Sequence, residues 1–267
     1  MLKQYQNQAC PELSRLMEGK CITYSVLITI LQGPCTSVFA DGKRAVVCHS
    51  AHPWPVWVWC RDPGDEGAVE EIAACLMTHF PVEKGYDIIM SHDLLEALRK
   101  GNAYFAKVSA GRGLLSYRLD EIRQIHHPCG GSMSLVREEE IGSLVGIWQD
   151  MHMEMEGRAF TPEHCEQTML RMVGEKCLFA WRDPDENIVA LTARADQPPY
   201  SKITSVYTLP EQRRKGYAIN LVHGVTKMIL EDGLIPILYT DSGYEASNAC
   251  YQKIGYELVG RLTSICK

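Results

Sequence analysis

Three cations in a row, Arg213, Arg214 and Lys215, run directly into Gly216 within "LPEQRRKGYA", and Ala218 follows. The run closes an apolar strand pattern and opens an amphipathic helix pattern. The first turn of a helix carries four backbone N–H groups without intrahelical partners, at the positive end of the dipole. Residues without bulk at 216 and 218 let an anion approach that backbone. The cations add charge that can reach a diphosphate or a ribose phosphate. The chemistry predicted is a strand–loop–helix pyrophosphate site. Cations at a helix start also oppose the dipole, so a solvated basic terminus stays open as the plainer alternative for the run alone. A Walker loop is excluded because no Lys-Ser or Lys-Thr ending follows, and one glycine does not make a dinucleotide fingerprint.

Other candidate groups carry less. Cys48, His49, His52 and Cys60 have a spacing that matches no standard zinc set, and His52-Pro53 reads as a turn, so no metal is expected. "MHMEMEG" (151–157) reads as the exposed end of a helix. Trp54, Trp57 and Trp59 alternate on or near a strand, where burial in a core or interface is expected before a pocket. No Cys–His nucleophile pair is legible.

The elements that must position the basic run follow an α/β pattern. Strands are expected at "AVVCH" (45–49) and "VWVWC" (56–60). Helices are expected at 68–80, with Val69, Ile72, Ala73, Leu76 and Phe80 on one face, and at 92–100, stopped by Gly101. Pro128, Gly130 and Gly131 punctuate the chain, which places a domain boundary there: 1–127, then 128–267. Downstream the order reads β-α-α-β-β-β-α-β-α-β. It includes a helix at 161–176 capped by Thr161, a hairpin turning at "DPDEN", a strand at 203–209 and a helix ending at Gly233. A strand at 234–240 buried on both faces, a helix at 247–256 with Ser247 as N-cap, and a last strand complete it. "WCRDPGDEG" (59–67) echoes "WRDPDEN" (181–187). A duplicated domain would produce that echo, and so would the turn-forming habit of Asp, Pro and Gly; chance is favoured.

Composition bounds the partners. The 267 residues allow one large or two ordinary domains, and 46% hydrophobic with 22% charged residues fits a globular chain. A net charge of −6 argues against nucleic acid as the main partner and is compatible with a cationic substrate. Eleven cysteines, an odd number scattered along the chain, read as reduced thiols in a cytoplasm. The apolar stretch at 21–31 is too short to span a bilayer and lacks a basic leader, so neither a targeting segment nor a membrane partner is expected.

"VYTLPEQRRKGYA" followed by "SNACYQKIGY" resembles the GNAT superfamily of N-acetyltransferases. Its signature is Gln or Arg, two variable residues, Gly, one variable residue, then Gly or Ala. Arg213, Arg214, Lys215, Gly216, Tyr217 and Ala218 meet it, and Tyr251 with Gly255 and Tyr256 is a second, independent match. The resemblance covers about residues 132–267. It implies an α/β fold with a mixed sheet, acetyl-CoA as cofactor, and direct attack of a primary amine on the thioester. The pantetheine arm is expected on main-chain groups of Val206, Tyr207 and Thr208, and the diphosphate on N–H groups from Arg214 through Ile219. Tyr251 is the implied general acid for the departing thiolate, with a core tyrosine as its alternative.

The sequence departs from the family at the base. Many members place a Glu near the central strand, yet 203–209 holds no acid. Asp241 is the nearest candidate, more readily the start of a capped turn, and a water chain is the other option. The family's Asn seven residues before the tyrosine is Tyr244 here, with Asn248 as a substitute cofactor contact. The first 127 residues read as a smaller α/β domain, a degenerate copy or a provider of acceptor contacts or a homodimer interface. The expected acceptor is a small-molecule amine, an amino terminus or a lysine. A non-catalytic acyl-CoA sensor or partner-binding protein, and an acyltransferase with another donor, are the competing readings.

Overall fold

Alternation of apolar residues at two and at three-to-four residue periods produces, in order, β1 (Lys3–Tyr5), α1 (Ser25–Gln32), β2 (Ser37–Ala40), β3 (Ala45–His49), β4 (Val56–Cys60), α2 (Glu66–His79), β5 (Ile88–Met90), α3 (His92–Gly101) and β6 (Ala110–Arg118). There follow β7 (Ser132–Leu135), α4 (Ile141–Glu156), α5 (Pro162–Gly174), β8 (Leu178–Arg182), β9 (Ile188–Gln197), β10 (Tyr200–Thr208), α6 (Tyr217–Glu231), β11 (Ile235–Asp241), α7 (Glu245–Ile254) and β12 (Glu257–Ile265). The computed structural model describes residues 1–5, 9–33, 37–126 and 129–266; the expected boundary at 127/128 falls outside them.

The chain forms two compact units. The first is Met1–Ser116 with Thr240–Tyr244 and Leu258–Lys267; the second is Tyr117–Tyr239 with Glu245–Glu257. A cut by position along the chain misses this division. β12 pairs antiparallel with β5, from Thr263↔Met90 to Ile265↔Ile88, so the last strand belongs to the first unit. Local punctuation cannot report a ladder formed by residues so far apart.

In the first unit β1, β2, β3 and β4 pair antiparallel in sequence, and β4 runs parallel to β5. β3 and β4 are buried along their whole length. Val47, Val58, Ile72, Leu76 and Leu94 fill one core, and Leu27, Leu31, Val46, Trp57 and Trp59 the other. Trp57 and Trp59 are thus core residues, as expected, and Trp54 is exposed. The apolar stretch at 21–31 becomes α1, and no helix among the described residues is long and apolar enough to cross a membrane.

The second unit repeats the plan. β7, β8, β9 and β10 are antiparallel neighbours, and β10 runs parallel to β11. α4 and α5 bury Ile141, Leu144, Trp148 and Met169 against Leu178, Ala180, Leu191, Ala193 and Tyr207. Thr161 caps α5 by accepting from the His164 N–H, and Gly157 ends α4 in the left-handed conformation. The first unit follows the same element order, with a 3₁₀ turn at Pro11–Met17 as its first helix. The sequence echo does not mark this repeat. "WCRDPGDEG" links a strand to α2, whereas "WRDPDEN" turns a hairpin, so the echo is turn chemistry.

Two boundaries move and one burial pattern differs. β10 starts at Tyr200 rather than 203, because its ladder with β9 extends to Tyr200↔Gln197. α7 starts at Glu245, which puts Ser247 inside its first turn rather than at the cap. β11 is buried at Pro236, Ile237 and Leu238 but only half-buried beyond.

A chain ending at Glu257 should unfold the first unit earlier. It loses buried Leu262 and Ile265, worth about 2 kcal/mol each, and bares the edge of β5. Thermal melting followed by circular dichroism should show a drop of several degrees; an unchanged melt would contradict the assignment of β12 to that unit.

Candidate active site

Two departures from regular sheet geometry lie on β10. The register with β9 slips between Thr204 and Tyr207, and Ser205 takes a positive φ of 54°. This is a bulge, held in part by Thr192 Oγ1 donating to the Thr204 carbonyl at 3.0 Å. On the other edge, the parallel ladder with β11 runs from Tyr200↔Ile235 to Ile203↔Leu238 and ends there. Backbone polar groups need partners, so the edge of β10 from Thr204 to Thr208, which includes Val206, Tyr207 and Thr208, is a place where a ligand can pair with main chain.

The chain then turns through Pro210–Gln212 into α6. Arg214 has φ of 65° and Gly216 has φ of 87°, both left-handed. Such alternation curls successive N–H groups toward a common point, which is an anion-binding arrangement. Gly216 is the N-cap of α6 and no side chain fills that cap. Arg214, Lys215, Tyr217, Ala218 and Ile219 surround the uncapped turn.

The three cations have different tasks. Arg213 forms a 2.6 Å ion pair with Glu154 on α4, donates to the Thr208 carbonyl at 3.1 Å and lies over the Tyr207 ring. The bond to Glu154 is the main reason its pKa rises. Arg213 therefore fastens the end of β10 to α4. Lys215 donates to Gln212 Oε1 at 2.7 Å. Arg214 is exposed and its guanidinium takes no partner among the described residues.

The corresponding strand-to-helix link of the first unit lacks this opening. Asp65 caps α2 by accepting from Ala68 N at 3.0 Å, and Asp62 accepts from Gly64 N at 2.8 Å. Carboxylates already occupy the N–H groups there and would repel a phosphate.

On α7, Tyr251 is 6% exposed, and its hydroxyl makes no hydrogen bond among the described residues. Tyr256 shows the contrast: its hydroxyl pairs with Thr226 Oγ1 at 2.8 Å, as a core tyrosine does. Burial pushes the Tyr251 phenol above its ordinary value, so it keeps its proton and remains a donor. Gly255 is required by close approach. Its φ is 117°, and a Cβ would meet the Glu121 carbonyl at 2.6 Å.

Asn248 is held by a residue that no motif marked. Its Oδ1 accepts from Tyr117 Oη at 3.1 Å, and Gln252 Nε2 donates to the same hydroxyl at 3.4 Å. The Tyr117 ring also lies 6.4 Å from that of Tyr251. Tyr117 is 1% exposed, and its only sequence signal is the end of an apolar strand.

Asp241 shows the turn role. Its carboxylate accepts from Gly243 N at 2.8 Å, its carbonyl from Tyr244 N at 3.2 Å, and Arg112 lies 3.9 Å away. His49 packs among the rings of His52, Phe80 and Tyr86 and pairs with the Trp54 carbonyl. Among the described residues no cluster fit for a metal occurs, and no disulfide joins the cysteines.

Residues 184–264 match the FR47-like protein family. A GCN5-related N-acetyltransferase from Sphaerobacter thermophilus has a similar fold over 99% of this chain and 94% of its own, with a TM-score of 0.69 and 14% identity. A GNAT-family acetyltransferase from Colwellia psychrerythraea covers 98% of both chains with a TM-score of 0.62 and 13% identity. The fold is that of GNAT acetyltransferases. A beta-lysine N(6)-acetyltransferase of Methanosarcina mazei is 30% identical over 112 residues, 40% of this chain. The match spans about two fifths, 41%, of that relative's length.

Gly255→Ala should destabilise the chain by about 1–3 kcal/mol through strain and overlap. Urea unfolding measures it; an unchanged midpoint would mean that the Glu121 segment yields freely.

Proposed function

We propose that this chain transfers an acetyl group from acetyl-CoA to a primary amine. The observation that carries the reading is the uncapped, left-handed loop at Arg214–Gly216, next along the chain from a strand edge released by its neighbour. Main-chain groups of Val206, Tyr207 and Thr208 pair with the pantetheine arm, and N–H groups from Arg214 to Ile219 take the diphosphate. Arg214 supplies the mobile charge, while Arg213 acts through the strand it fastens. Asn248 adds a polar contact fixed by Tyr117. The named activity of the Methanosarcina relative, acetylation at an amino group of beta-lysine, supports an amine acceptor.

The amine attacks the thioester carbonyl carbon, forming a C–N bond. The C–S bond then breaks, and Tyr251 gives its phenolic proton to the thiolate. A hydroxyl with no partner among the described residues, held neutral by burial, suits that task. The turn-capping role of the Asp241 carboxylate does not support it as a base.

Gly216→Asp should remove acetyl-CoA binding, by strain at φ of 87° and by negative charge at the helix start. Isothermal titration gives the answer, and near-parental affinity would move the cofactor elsewhere. Tyr251→Phe should leave acetyl-CoA affinity within a few-fold and slow turnover by about 100-fold. In the parent, a donor whose pKa is raised is lost only as pH climbs past the ordinary phenol value of about 10. The alkaline fall in rate assigned to Tyr251 therefore lies above that value. Parental turnover in the Phe variant would remove Tyr251 from the mechanism.

A further inference from the structure

Lys202 is the cation on β10, two residues before the bulge begins at Thr204. Its Cα partners are Ala195 on β9 and Ile237 on β11. Residues two apart on a strand share a face. Ala193, partner of Thr204, packs beneath α4 and α5, so Lys202, Thr204 and Ala195 share that face of the sheet. The place is the last stretch of β10 still paired on both sides, directly ahead of the edge that the proposed cofactor occupies.

The amine is unusual in what it lacks. It takes no hydrogen bond and no ion pair among the described residues. Other inward-lying cations of this unit are matched: Arg182 pairs with Glu140 at 2.9 Å, and Arg194 with Asp232 at 2.6 Å. Lys202 is half-buried as a residue; burial of its amine pushes it below the ordinary lysine range, and no charged group among the described residues contributes. Desolvation without a counterion disfavours the ammonium form. A neutral amine is a proton acceptor, which buried lysines supply in other reactions.

We propose that Lys202 is the general base of the transfer, taking the proton from the acceptor's ammonium group as the acceptor enters. The proton passes from acceptor nitrogen to Lys202 Nζ, leaving a free amine whose lone pair attacks the thioester. After the C–N bond forms and the C–S bond breaks, the second nitrogen proton returns through water to the Tyr251 phenolate. Lys202 releases its proton to solvent, so one proton is liberated per acetyl group moved. A lysine explains how a strand without a carboxylate can still deprotonate its substrate.

The proposal rests on the acetyltransferase reading, so the test measures cofactor binding separately from turnover. Lys202→Met keeps the length of the side chain and removes the base. It should lower kcat about 100-fold, leave the acetyl-CoA dissociation constant unchanged, and recover part of the rate in added trimethylamine. A tertiary amine accepts a proton but yields no stable amide. Lys202→Arg puts a fixed charge in place of a usable base and should be as slow as the Met variant. Parental turnover in either variant overturns the proposal, and in the Arg variant it would assign Lys202 to holding an anionic part of the acceptor. A measurement on the parent needs no folded variant: nuclear magnetic resonance of ¹³Cε-labelled lysines should show one amine titrating below the others. If every lysine titrates at the ordinary value, the proposal fails. A parent that neither binds acetyl-CoA nor turns over would instead defeat the acetyltransferase reading itself.

Discussion

Backbone amides that secondary structure cannot satisfy are the constraint around which the second unit is organised. A helix always leaves its first N–H groups without internal partners, and a strand that parts from its neighbour leaves an edge. Most proteins fill such positions with their own side chains. Here β10 loses its β11 ladder after Ile203, and α6 begins at a glycine with no side-chain cap. The two openings adjoin along the chain. The cost is met by rigid neighbours: Arg213 ties the strand end to Glu154, and the bulge carbonyl of Thr204 is held by Thr192. An open helix start of this kind keeps its shape because the elements around it are fastened independently.

The two units make an internal comparison. They share element order and the sequence of antiparallel and parallel ladders, yet differ in chemistry at the same link. Asp62 and Asp65 close the helix start in the first unit, and Gly216 with Arg214 leaves it open in the second. The fold tolerates either ending because strand pairing and core packing decide the architecture, while a few loop residues decide what binds. The first unit keeps the scaffold and closes its helix start with its own carboxylates.

Legibility in the sequence followed the range of the interaction concerned. Caps, turns and amphipathic faces are local, so Thr161, Gly157, the α6 stripe and the order of elements could be read from neighbours in the chain. The loop at 213–216 could be marked as a candidate because glycine and cations are adjacent there. Lys202 escaped because the expected strand began at 203, three residues late and one residue past it. Tyr117 escaped because its partners Asn248 and Gln252 are 131 and 135 residues away, and a single aromatic residue carries no pattern. The split roles of Arg213, Arg214 and Lys215 depend on Glu154 and Gln212, which no spacing rule connects to them. The recruitment of β12 to the first unit is the same failure at larger scale.

That recruitment bears on how the chain comes into being. Synthesis proceeds from the amino terminus, and domains commonly fold as they emerge. Here β5 cannot acquire its antiparallel neighbour until residues 263–265 have been made. The earlier sheet must wait with an unclosed edge while the whole of the second unit passes through the ribosome. Contacts of such long separation also slow folding, since the chain entropy of closure comes before the reward of pairing. Until β12 arrives, the first unit carries an open strand edge of the kind other chains can pair with.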